Sequence, residues 1–354
     1  MRLSRIAPSH LILLASTCVL LLVSSNLNWP KEYWKGILRS DARGYYAWLP
    51  ALFIHHDLQF EFQESIENPQ TDPRHRAVYR VPVGDTYSNK YFIGTAAAEL
   101  PFFLMAHLIT VLSDGNADGY SFYYQFFINL AGVFYALAGL FFLRRLLLRM
   151  HFSESVIAWT LVALLFATNL FYYSIIEPGM SHIYSFAFCS AFLYFVHDWL
   201  HSSKARALIL AAFCLGMMML IRPVNGIVLL AIPLFGVSFS DVFTRIKAAL
   251  LQGKFVFPVM VFSAIVAIQP LMWFFQTGHF FIDSYPGEVF HFDQPHIFDF
   301  LFSYKKGAFL YTPILLIALL GYVFSPKAKR SQLYYGISWG IGLLYLLSSW
   351  WNWW

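Results

Sequence analysis

The residues that could do chemistry in this sequence are charged side chains set at the ends of long apolar runs. Asp41 opens the stretch DARGYYAWLPALFIHHDL, the first polar segment after the first apolar run. Tyr45, Leu49, Leu52 and Phe53 follow at helical spacing, so the segment predicts a helix lying flat on a bilayer surface. An acid on such a helix could work on a lipid-borne substrate at the membrane–water boundary. The competing reading is structural: Ser40 or Asp41 caps the helix by accepting a free backbone N–H. Arg222, Lys305 and Lys306 form a second group, cations beside apolar runs. They could bind an anionic lipid headgroup, with arginine supplying a bidentate fork for phosphate. Alternatively they snorkel to lipid phosphates.

The elements that must position these groups are membrane helices. The chain is 58% hydrophobic and 12% charged, against roughly 25% charged in an average soluble domain. An all-α, polytopic membrane protein is expected, as a single domain over residues 1–354. Its net charge of +5 is then a topology signal and gives no reason to invoke nucleic acid. Cys18, Cys189 and Cys214 all lie in apolar runs without pairing or metal-ligand spacing, and read as packing residues. His55 and His56 face different sides of a helix. Asp283, His291, Asp293 and His296 have a spacing that could hold a divalent metal, but loop acids and histidines are usually solvated, so no cofactor is expected.

Arg2 and Arg5 precede the run Leu11–Val23, and no small-residue cleavage site follows, which predicts an uncleaved first span with its N-terminus inside. A long polar region continues to about Lys90 and ends in a β-hairpin around Gly84-Asp85. Residues 91–112 are long enough to cross, yet Glu99 and Pro101 lie near the centre, and a carboxylate there costs roughly 2.5–3.5 kcal/mol on insertion scales. Arg144, Arg145 and Arg149 follow the next run, 121–143, and are cytoplasmic by the positive-inside rule only if 91–112 does not cross. Residues 91–112 are therefore expected to be a juxtamembrane or re-entrant helix, and 28–120 a long first outer loop. Spans at 156–173, 183–200, 207–221, 224–239, 255–275, 308–324 and 333–350 bring the total to nine. They leave a second large outer loop at 276–306 and an inner amphipathic segment at 241–254, with Lys327, Lys329 and Arg330 inside.

Several short segments resemble the integral-membrane C-type glycosyltransferases, the superfamily of protein O-mannosyltransferases and lipid A aminoarabinose transferases. SDARGYY is similar to the acid-bearing start of that family's first outer loop. NKYFIGTAAAELPFF is similar to a stretch whose lysine meets the carrier phosphate, and TNLFYYSIIEPGMSH to an outer loop with a second acid. LIRPVNG, FSYKKGAFLYTP and SSWWNWW resemble other segments of bacterial members. The chain departs from the protein O-mannosyltransferases in having Asp41-Ala42 where they carry Asp-Glu, which points away from the protein-mannosylating branch. Relatives of this kind continue past the equivalent of Trp354, so a truncated C-terminus is expected as one alternative.

The resemblance implies a glycosyltransferase of a bacterial cytoplasmic (inner) membrane. It would move a sugar from a polyprenyl-phosphate carrier to an acceptor hydroxyl or phosphate, on a lipid, glycan or protein, at the outer face. Asp41 would be the base and Glu177 the second acid. Lys90 and Arg222, with Lys305 and Lys306, would hold the phosphate. His182 would orient Glu177 or the acceptor, and Tyr45 and Tyr46 would stack on the sugar. Each has a structural alternative: Lys90 as an interfacial anchor, Glu177 as a helix-end carboxylate in the Pro178-Gly179 turn, the tyrosines as part of an aromatic belt. The rival function is a polytopic transporter or lipid flippase. Transporters usually show internal repeats and broken polar helices at the midplane, whereas here the polar residues gather at the outer ends.

Overall fold

The computed structural model describes residues 7–66, 79–235, 237–324 and 330–354. The elements run in order from α1 (Pro8–Leu27), α2 (Asp41–Pro50) and α3 (Gln63–Ile66) to a two-stranded hairpin, β1 (Arg80–Val83) and β2 (Thr86–Asn89). There follow α4 (Gly94–Leu112), α5 (Phe122–Arg149), α6 (Glu154–Phe166), α7 (Leu170–Ile175), α8 (Ser181–Ser202) and α9 (Ala205–Ile221). After a 3-10 stretch, Pro223–Phe235, come α10 (Phe239–Leu251), α11 (Val256–Val266), α12 (Ile268–Thr277), α13 (Ile297–Phe302), α14 (Ala308–Tyr311), α15 (Ile314–Val323) and α16 (Arg330–Ser348). The hairpin pairs antiparallel, Val83 opposite Thr86, with Gly84 at φ +60 in the turn. The segment expected to be inner and amphipathic is α10, opened by a capping box between Ser238 and Asp241.

Among the described residues five helices are long and apolar enough to cross a bilayer: α1, α4, α5, α8 and the α11–α12 pair; a sixth counts if the 3-10 stretch and α10, bent by 105°, form one span. The nine expected spans therefore do not all appear as continuous helices. The 207–221 and 333–350 runs fall in the unbroken helices α9, 17 residues long, and α16, but three others are broken. Ala167, Thr168 and Asn169 separate α6 from α7, Thr312 and Pro313 separate α14 from α15, and Pro223–Phe235 winds as 3-10. Proline removes a helix donor and clashes with the preceding turn, so a hydropathy run need not be one helix. Lys327 and Lys329, expected inside, lie outside the described residues.

α5 is the spine. Its 28 residues rise about 42 Å at about 1.5 Å per residue, and glycine lets α8 come close: a Cβ on Gly139 would meet the Phe186 ring at 2.3 Å. At the α5 C-terminus, Arg144 is 5% exposed, pairs with Glu154 at 3.3 Å and hydrogen-bonds Ser9, tying α5, α6 and α1 together. Arg149 meets Asp198 of α8 at 2.9 Å. At the opposite end Asn28 donates to the carbonyl of Ile175 and Trp29 to Asn129.

α4 keeps to that opposite half. Tyr135 donates to the Ala98 carbonyl, and Phe103 and His107 meet Tyr124 near the start of α5. Gly94 abuts Leu220 and Ile221 at the end of α9. Its ring and hydrogen-bond contacts with α5 among the described residues thus fall between Tyr124 and Tyr135, away from Arg144 and Arg149. Glu99, expected to be costly in lipid, is 0% exposed and bonded to Tyr184; it faces protein.

Candidate functional site

The site is built where α2 meets the ends of α8 and α9. α2 is not a surface helix: from Ala42 to Pro50 only Arg43 escapes full burial. It enters through Ser40, whose φ of +52 and ψ of −138 lie in a sparsely populated region for a non-glycine residue. Ser40 makes no capping hydrogen bond, and Asp41 is the first helical residue. The Asp41 side chain instead lies near the Tyr91 phenol, close enough for its charge to act there. Burial, reinforced by the Asp41 charge, holds that phenol well above its ordinary pKa, so Tyr91 stays a donor. Gly44 makes the approach possible, since a Cβ there would overlap the Tyr91 ring at 2.3 Å. The hairpin end is pinned alongside by Asn89, which donates to the Gly44 carbonyl at 2.8 Å and accepts from Tyr91 N–H at 2.9 Å.

Two cations face this corner. Arg222, just past the end of α9, donates to the Tyr45 hydroxyl at 3.1 Å, and Ser181 at the start of α8 donates to the same oxygen at 3.3 Å. Tyr45 stacks obliquely on Tyr91, centroids 4.5 Å apart, and Tyr91 meets Tyr285 edge-on at 6.2 Å. Lys90 sits over the Tyr285 and Tyr91 rings at 5.2 and 5.8 Å and is ion-paired with Glu288. Asp41, Arg222 and Lys90 are therefore gathered round one set of three tyrosines. The charges of Asp41 and Arg222 both act on Tyr285.

Glu177 lies on the adjoining turn. Arg39 Nε approaches it at 3.3 Å, and Arg39 also donates to the Tyr172 hydroxyl at 3.5 Å. The turn is pressed onto α2: a Cβ at Gly179 would lie 3.0 Å from Ala42 Cβ. His182 lies flat on Tyr173, 4.0 Å between centroids. Its Nδ1 has no hydrogen-bond partner, so it does not hold Glu177. Arg222 and Lys306 are near enough for their charges to act on its ring.

Two expected residues fall elsewhere. Tyr46 is 0% exposed, hydrogen-bonded to the Gly119 carbonyl and packed on Phe103 and Tyr120; it is core and cannot stack on a sugar. Lys305 lies 3.5 Å over the Trp354 ring. Tyr45, 2% exposed, reaches the site through its hydroxyl and not its face. Sequence reasoning missed Tyr91, Tyr285, Arg39 and Glu288. Tyr91 adjoins Lys90 and could have been found; nothing in the local sequence marks Glu288. Among the described residues no three His, Cys, Asp or Glu side chains are grouped to hold a metal ion. Neither a scan against protein-family models nor searches of curated proteins and of solved structures return a match.

Proposed function

We propose that the chain is a glycosyltransferase that moves a sugar from a polyprenyl-phosphate carrier to an acceptor hydroxyl or phosphate at the outer face of a bacterial cytoplasmic membrane. The observation that supports this most directly is the convergence of a carboxylate and two cations, Asp41, Arg222 and Lys90, on one tyrosine cluster at the end of the bundle away from Arg144 and Arg149. In this reading Asp41 takes the proton from an acceptor hydroxyl as its oxygen bonds to the anomeric carbon. The bond between that carbon and the phosphate oxygen breaks, and the electron pair leaves with the polyprenyl phosphate. Lys90 and Arg222 meet the charge that grows on the leaving oxygen, which favours the transition state over the ground state. Glu177 and His182 line the adjoining turn, where acceptor or sugar would lie.

Purified chain is assayed with a polyprenyl-phosphate sugar and, separately, with a nucleotide sugar. Transfer from the lipid donor is expected, and Lys90→Ala or Arg222→Ala should lower turnover by roughly 10²-fold, the scale of other preorganised electrostatic contacts. Unchanged turnover in both variants, or preference for the soluble donor, overturns the reading. Lipid flux without transfer would establish the transporter instead.

A further inference from the structure

A buried carboxyl group beneath the site remains unused by this chemistry. Glu99 is 0% exposed. Its Oε1 lies 2.9 Å from the Tyr184 hydroxyl, and its Oε2 has no hydrogen-bond partner. Among the described residues no cation pairs with it. An unpaired carboxylate at such a place carries a large desolvation cost. Counting protons sharpens the point. The Tyr184 hydroxyl also lies 2.9 Å from the carbonyl oxygen of Pro178, a group that can only accept. Tyr184 has one proton, so it cannot fully serve both oxygens if Glu99 is ionised. A protonated Glu99 donates to Tyr184, and the Tyr184 proton is then committed to Pro178.

Pro178 follows Glu177 in the turn. It is hemmed in from the other side by α5, where a Cβ on Gly132 would come within 2.5 Å of its Cβ. We infer that Glu99 is a neutral carboxylic acid that acts through Tyr184 as a positioning residue, fixing the Glu177 turn against α2 beside Asp41. Its role in transfer rests on the glycosyltransferase reading; its protonation and its hold on the turn do not.

The experiment therefore has two arms. In detergent-solubilised full-length protein, infrared difference spectra between wild type and Glu99→Gln should show the carbonyl stretch of one protonated carboxyl group at neutral pH. Hydrogen exchange of the Glu177 and Met180 amides, which close this turn onto Tyr172 and Glu177, should be faster in Tyr184→Phe and Glu99→Leu. It should stay at the wild-type rate in Glu99→Gln, whose amide can still donate. A carboxylate band in place of the protonated one, or unchanged exchange in both disruptive variants, overturns the inference. In the second arm, Tyr184→Phe and Glu99→Leu should lower kcat about tenfold with the donor KM unchanged, and Glu99→Gln should retain kcat. A rise in KM alone, or kcat unchanged in both disruptive variants, overturns the positioning role. Absence of transfer in wild type fails the functional reading and leaves the first arm to decide this one.

Discussion

At the scale of single residues, the expected base is free of the role that competed with it. Capping would have tied Asp41 or Ser40 to backbone N–H groups, but Ser40 makes no such bond and Asp41 faces a tyrosine. Asp41→Asn keeps the size and hydrogen-bonding shape while removing the basic carboxylate. It should abolish transfer and leave the thermal unfolding midpoint close to wild type; full activity would return Asp41 to a structural role. Tyr91 carries a second prediction. Burial and the Asp41 charge raise its folded-state pKa above the ordinary 10.0, and burial does the same for Tyr285. Above pH ~10 the unfolded chain loses these protons while the folded chain keeps them. The stability they confer is thus complete below that pH and lost as pH rises beyond it. Tyr91→Phe should flatten the fall of the unfolding midpoint between pH ~9 and ~11, and an unchanged slope would show that Tyr91 titrates normally.

At the scale of elements, the sequence revealed which segments matter better than how they pack. Asp41, Lys90 and Arg222 lie on three separate segments more than forty residues apart in each case, and the charge of each was a usable signal because charge beside an apolar run has few structural uses. The placement of α2 was not legible. Its Tyr45–Leu49–Leu52–Phe53 spacing fits a surface helix, but Gly44 and Ala47 are small enough for the other side to be buried too, and only the packed structure shows this. Tyr46 was misplaced for the same reason, since an aromatic next to a site residue points to another side of the helix. Close approach at glycine gives the element-scale prediction. A Cβ at Gly94 would lie 2.2 Å from the Ile221 backbone nitrogen, where no side-chain rotation relieves it, so α4 and the end of α9 must part. Gly94→Ala should destabilise the protein by about 1–3 kcal/mol and, by shifting Arg222 next to it, lower turnover. The control Gly36→Ala, with nothing within 4 Å, should change neither unfolding nor transfer.

At the scale of the whole molecule, the question is which side of the membrane each end of α4 occupies. Its length and composition suit a span, and Glu99, the residue that argued against one, is sheltered inside the protein and no longer decides. The contacts do bear on it. α4 runs antiparallel to α5 over the half from Tyr135 to Tyr124, and its first residue abuts the end of α9 that carries Arg222. A crossing helix would reach the level of Arg144 and Arg149, where α1, α6 and α8 supply Ser9, Glu154 and Asp198 as partners. Among the described residues the ring and hydrogen-bond contacts of α4 with α5 stop at Tyr135. By the positive-inside rule that arginine-rich end is expected in the cytoplasm, which predicts Asn116, in the loop joining α4 to α5, outside and His151, just beyond α5, inside. Single cysteines at these positions, introduced after replacing Cys18, Cys189 and Cys214, are labelled in intact cells with a membrane-impermeant maleimide. Position 116 should react from outside and position 151 only after permeabilisation. A further cysteine at Asp85, in the hairpin turn before α4, separates the alternatives: it should react from outside together with position 116. Opposite sides for 85 and 116 would make α4 a span and would put the whole cluster of Asp41, Lys90 and Arg222 on the side away from Asn116, overturning an outward-facing site.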